Sequence, residues 1–204
     1  ATPEQRAERL EKMQKSIRGC KIIGCPYLVI HPIMPFGHYS NPDPDEFYRL
    51  NFEFFSELIK TAEECGVVVC LENMPFKDLT LSTPTEILNF VKDINSPYFK
   101  ICFDTGHASV FGISCGDSVR LIGKEYLATL HVHDNNGVDD LHLPVFKGVI
   151  DWEDFRSALI EIGFEGAVSL ETRILTENYG PGDADLVEKL QIELAESALY
   201  IAGK

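Results

Sequence analysis

Five short apolar runs set the tightest limit on what this chain can fold into. They are 26–31 (PYLVIH), 67–72 (VVVCLE), 99–104 (FKICFD), 127–133 (LATLHVH) and 166–171 (GAVSLE), spaced about every 35 residues with helix-like stretches between them. The apolar residues are continuous rather than alternating, as expected of strands buried on both faces of a parallel sheet. An α/β fold follows, either an open doubly wound sheet or a (β/α)8 TIM-type barrel. The first βα turn lacks G-x-G-x-x-G, which weakens the dinucleotide-binding form of the open sheet. His31, Glu72, Asp104, His133 and Glu171 lie at the C-terminal ends of the five runs. A barrel gathers such residues at one mouth, whereas an open sheet spreads them along an edge.

The intervening stretches carry helix signals. Thr2-Pro3-Glu4 opens a helix with apolar positions at Leu10, Met13 and Ile17, expected to stop near Gly19. Further helices are expected over Asp45–Cys65 before Gly66, from Thr83 to Asn95, briefly within Gly112–Gly123, from Asp151 to Ile162 before Gly163, and from about Asp183 to Ala202. The loop from Pro32 to Pro44 has the length of a functional loop over a site. No linker or low-complexity segment interrupts the pattern, so residues 1–204 read as a single domain.

Composition narrows the function. A formal net charge of −14 without a Lys/Arg cluster argues against a nucleic-acid partner. No apolar run approaches the length of a membrane span and no secretion signal is present, so the expectation is a cytoplasmic protein with no membrane partner. The six cysteines form no C-x-x-C pair; Cys70 and Cys102, inside apolar runs, read as small buried hydrophobes, and the expected compartment is reducing.

The stretch from Leu130 to Pro144, LHVHDNNGVDDLHLP, concentrates the chemistry. His131 and His133 are two apart on a strand and are expected to share a face. A bland reading is a solvated loop whose histidines find hydrogen bonds. Three strand-end carboxylates and two imidazoles at one mouth would, however, repel and desolvate one another without a cation, and a divalent ion removes that penalty. The mixed N/O donor set suits Mn²⁺, Zn²⁺, Co²⁺ or Mg²⁺.

The chain resembles the xylose isomerase-like (endonuclease IV-like) TIM-barrel superfamily, and within it the sugar phosphate isomerases and epimerases. The resemblance rests on His31-Pro32, Leu71-Glu72-Asn73, Phe103-Asp104-Thr105-Gly106-His107, His131-Val132-His133-Asp134, Asp140-Leu141-His142-Leu143-Pro144, Ile150-Asp151-Trp152 and Ser169-Leu170-Glu171-Thr172. It implies a metal-dependent isomerase or epimerase of carbohydrate metabolism acting on a sugar or sugar phosphate. Glu72, Asp104, His133 and Glu171 would hold one divalent metal, and Glu72 and Glu171 would be the catalytic acid/base pair. His107 and His31 would bind substrate; Arg173, two residues past Glu171, is placed either to bind a substrate oxygen or phosphate or to face solvent from its loop. His131, Asp140 and His142 would serve an additional metal or support the first. His133, closer to the strand's end, is expected to be the ligand, and His131 to lie one layer deeper.

Two departures qualify the resemblance. Residues 145–150 (VFKGVI) differ from the family's usual loop, so Phe146 and Lys147 put the substrate in doubt. Only five strands are counted, so this is expected to be the last five strands of a barrel, with roughly 80 residues missing at about 30–40 per βα unit. A truncated chain, a completing N-terminal segment or a homo-oligomer would then account for the exposed edges. The alternatives are an endonuclease IV-like phosphodiesterase of abasic DNA, with up to three zinc ions, and an inactive metal-binding barrel fragment.

Overall fold

The computed structural model describes residues 1–37, 41–172 and 184–203. The chain forms two compact units, Ala1–Cys102 and Phe103–Lys204. The α/β class is as expected, and among the described residues no helix is long and apolar enough to cross a membrane.

In the first unit, α1 (Pro3–Ile23), β1 (Tyr27–Ile30), α2 (Pro44–Cys65), β2 (Val68–Glu72) and α3 (Pro84–Ile94) lead into β3 (Phe99–Asp104). β1 pairs parallel with β2, Tyr27 opposite Val68, and β2 pairs parallel with β3, Glu72 opposite Cys102. Helix α1 begins where expected, in a Thr2–Gln5 capping box, but runs through Gly19 to Gly24. Gly19 has open space around it and no reason to end the helix; Gly24 supplies the left-handed turn that does, at φ 71°. Helix α2 turns Phe47, Leu50, Phe54, Phe55, Leu58 and Ala62 inward. Phe55, Phe90 and Phe99 interlock there, with ring centroids 5.1–6.1 Å apart. Asn51 is buried beside them. It accepts from Ile33 N at 2.7 Å and donates to Ile33 O at 3.1 Å, fixing the chain just past His31.

In the second unit, the last residues of β3 are followed by α4 (Thr105–Val110), α5 (Cys115–Tyr126), β4 (Leu127–Val132), α6 (Trp152–Ile162), β5 (Ala167–Leu170) and α7 (Ala184–Ile201). β4 and β5 pair parallel, His131 opposite Ser169. The turn α4, entered directly from β3, is an element the sequence reading did not anticipate. Arg120 on α5 ties the packed pair α5 and α6 together through Asp154 and Glu161, at 2.7 Å each. Gly116 leaves room for this, since a Cβ there would lie 1.9 Å from Asp154 Oδ2.

Candidate metal centre

The site of the second unit starts from β3. Asp104 ends the strand fully buried, and its Oδ1 caps α4 by accepting from His107 N at 2.7 Å. The cap fixes the backbone of His107, whose Nδ1 lies 3.6 Å from the same oxygen. Thr105 turns its hydroxyl to β4, donating to His133 O at 2.8 Å and accepting from His133 N at 3.1 Å. Gly106 faces the His133 ring so closely that a Cβ would lie 1.9 Å from Cε1. The Thr-Gly in F-D-T-G-H thus supplies the backbone grip and the empty space that seat an imidazole.

The two histidines of 131–133 divide between two clusters. It is His131 that meets the β5 carboxylate, Nδ1 to Glu171 Oε1 at 3.1 Å, and Asp104, His131 and Glu171 each bring a donor atom within 4.8 Å of the others. His133 points elsewhere, to Asp104 Oδ1 at 3.1 Å and Asp140 Oδ1 at 3.6 Å. The physical reason is that β4 ends at Val132. Alternation holds only within a strand; His133 has left it, and Thr105 and Gly106 set its direction instead. His131 thus meets the Glu171 carboxylate, while His133 keeps a 3.1 Å approach to the Asp104 carboxylate.

A second cluster gathers His107, His133, Asp140 and His142, again with donor atoms within 4.8 Å. The rings of His133 and His142 stack at 4.0 Å and 13°. His142 adopts φ 51°, a conformation seldom taken by residues other than glycine. Its Nδ1 lies 2.9 Å from Glu171 O, an acceptor only, so Nδ1 carries hydrogen and Nε2 turns to Asp140 Oδ2 at 3.3 Å. A neutral Nε2 lone pair facing a carboxylate is repulsive; a proton or a cation between them removes the conflict. Burial works to raise the Asp140 carboxyl, but hydrogen bonds from His107 and His142 and their charge hold it well below the usual carboxylate range. Among the described residues, Nε2 of His133 and Oδ1 of Asp140 are buried without a hydrogen bond. Both clusters therefore fit a divalent cation by donor chemistry.

A scaffold the sequence reading passed over holds this loop. Asp134, fully buried, accepts from Asn135 N (2.9 Å), Gly148 N (2.9 Å), Ile150 N (3.2 Å) and Trp152 Nε1 (2.8 Å). Its own backbone exchanges two 2.8 Å bonds with Leu143. Asn135 Nδ2 donates to Gly106 O at 2.7 Å. The signal was present as H-D-N before a distant I-D-W, but nothing local says that the aspartate and the tryptophan meet.

In the first unit, Glu72 ends β2 in a buried position, and His31 Nε2 lies 3.2 Å from its Oε2 while the rest of the His31 side chain is exposed. Arg173 lies outside the described residues, as does part of the 32–44 loop.

Comparison with known proteins gives a consistent picture. A family model described as a xylose isomerase-like TIM barrel matches residues 1–192. An uncharacterized protein of Methanocaldococcus jannaschii is 34% identical over 178 residues, covering 85% of this chain and 60% of that protein. A D-psicose 3-epimerase of Enterocloster bolteae is 31% identical over 144 residues, covering 70% of this chain and 46% of the enzyme. The solved structure of a D-tagatose 3-epimerase-like protein matches with a TM-score of 0.75 at 30% identity, covering 96% of this chain and 72% of that one. The chain thus spans 46–60% of the length of these two curated relatives.

Proposed function

The chain belongs to the xylose isomerase-like TIM-barrel family, and from that premise we propose that it acts as a divalent-metal-dependent isomerase or epimerase of a sugar or sugar phosphate. The same reading takes residues 1–204 as one partial barrel domain. The observation that carries it is the meeting of Asp104, His131 and Glu171, from the ends of three successive strands, in a donor set suited to a divalent ion. The epimerase relatives favour a ketose substrate.

In this reading Asp104, His131 and Glu171 hold the metal, with Glu72 the fourth ligand by its strand-end position in the family order. When bound, a divalent ion supplies Lewis-acid polarisation of a substrate carbonyl. Glu171 and Glu72 are the proton-transfer pair. One carboxylate takes the proton from the carbon beside the carbonyl and the other returns a proton to that carbon, which inverts the centre or moves the carbonyl. His131 Nδ1 and Glu171 Oε1, 3.1 Å apart, would face the same ion, which leaves Glu171 Oε2 to carry the proton. His107 and His31 bind substrate hydroxyls, and Arg173 a substrate oxygen or phosphate.

A second reading has one observation in its favour. The His107–His133–Asp140–His142 cluster would take a further ion, as expected of a zinc phosphodiesterase acting on abasic DNA, while the −14 charge opposes a polyanionic substrate. The test is elemental analysis of the purified chain and of His131→Ala and His133→Ala, with product analysis by NMR on a panel of ketoses with Mn²⁺ or Co²⁺. The expected result is about one bound ion, lost in His131→Ala by roughly the 10–100-fold affinity drop of a ligand-shell change or more, and a C3- or C2-altered sugar. Cleavage of abasic duplex DNA with Zn²⁺, or no divalent metal above background, would sink the proposal.

A further inference from the structure

Helix α1 closes in a motif that brings two cysteines together. Gly24, left-handed, directs its N–H to Lys21 O at 3.3 Å, and Cys25 N donates to Cys20 O at 2.9 Å. These are the paired bonds of a Schellman ending, in which the side chains at the two ends of the longer bond face each other. Here both are cysteine. The Cys25 thiol donates to Tyr27 O at 3.2 Å at the start of β1. Both are free and half-buried, within reach of a small solute, whereas Cys70, Cys102 and Cys115 are buried. A backbone bond of this kind draws its two residues into the roughly 4.4–6.8 Å Cα range that a disulfide spans. Nothing in the proposed sugar chemistry uses this pair, which lies on the first unit at the opposite end of β1 from His31.

We propose that Cys20 and Cys25 are a dithiol modification site that exchanges with low-molecular-weight disulfides of the glutathione type to form a reversible intrachain disulfide. The Cys25 thiolate attacks one sulfur of the small disulfide, whose S–S bond breaks to release one small thiolate. The Cys20 thiol then gives up its proton to solvent and attacks the Cys25 sulfur of the mixed disulfide, releasing the second small thiolate. Two protein thiols are oxidised and one small disulfide is reduced to two thiols. Burial pushes the Cys20 thiol up and the charge of Cys25 adds to this, so Cys20 holds its proton longer and reacts second. The oxidised form loses the S–H donated to Tyr27 O and links the last turn of α1 covalently to the entry of β1.

The experiment equilibrates the full chain with graded ratios of oxidised and reduced glutathione, traps thiols by alkylation, and reads intact mass and linked peptides. The expected product is about 2 Da lighter than the reduced chain, for two hydrogens lost, with Cys20 linked to Cys25 and full recovery by excess reduced glutathione. Cys20→Ser is expected to stop at a glutathione adduct on Cys25, with helix content by circular dichroism confirming its fold. A wild-type chain that stops at the mixed disulfide, links Cys65 instead, or keeps both thiols free at every ratio overturns the proposal.

Discussion

Replacing Asp134 by alanine removes one carboxylate and leaves four donors facing a buried void. Three are backbone N–H groups, of Asn135, Gly148 and Ile150, and the fourth is the Trp152 indole. A buried donor left without a partner costs about 1–3 kcal/mol, so four independent losses would sum to roughly 4–12 kcal/mol. The true figure is smaller, because losses within one network are not additive and water enters the space; an expected destabilisation of about 3–5 kcal/mol follows. Trp152→Phe removes one charge-assisted bond and leaves three donors satisfied, for about 1.5–2.5 kcal/mol. The assay is urea unfolding of the whole chain, followed by fluorescence for Asp134→Ala and by circular dichroism for Trp152→Phe, with the slope of free energy against denaturant checked for constancy. An Asp134→Ala chain within about 1 kcal/mol of wild type, or a Trp152→Phe chain less stable than the Asp134→Ala chain, would refute the network argument.

Two further predictions test other parts of the molecule. Gly106→Ala is expected to displace the His133 ring, since its Cβ would lie 1.9 Å from Cε1, and with it the Asp104 carboxylate, whose Oδ1 lies 3.1 Å from His133 Nε2; isothermal titration with Mn²⁺ or Zn²⁺ should show affinity weakened by about tenfold or more, and unchanged binding would count against the seating described. Tyr48 donates to Asp93, and burial first, then that bond and the Asp93 charge, push its hydroxyl from 10 to about 12. Its folded value is raised, so its contribution to stability is complete below pH 10 and is lost as pH rises through about 12. The difference in phenolate absorbance between wild type and Tyr48→Phe should titrate near 12 and fall toward 10 in Asp93→Asn; titration at 10 in both would refute it.

The βα rhythm was legible because both-face burial forces continuous apolar runs, and helix ends marked by Asp43, Gly66, Thr83, Asn95, Asp151 and Gly163 fall within a residue or two of their expected places. Gly19 misled because its conformational freedom permits a turn without requiring one. That the candidate site residues of the second unit lie near one another was legible, since Asp104, His131 and Glu171 gather in one cluster and His107, His133, Asp140 and His142 in the other. Which histidine belongs to which cluster was not, because strand alternation stops at Val132 and tertiary contacts from Thr105 and Gly106 take over. The Asp134 scaffold was equally hidden: its partners lie up to 18 residues away along the chain.

Asp104 contributes a donor atom to the candidate centre and also holds the first turn of α4, through His107 N. A lineage drifting toward another metal or substrate cannot treat that position as an interchangeable part. An alanine there would unmake the turn that carries His107, and a glutamate would add a methylene and overshoot it. Selection for folding therefore guards this aspartate even where selection for chemistry has lapsed, so its persistence in a relative is weak testimony that the relative still turns over substrate. Glu171, whose side chain caps no helix among the described residues, is the more informative witness.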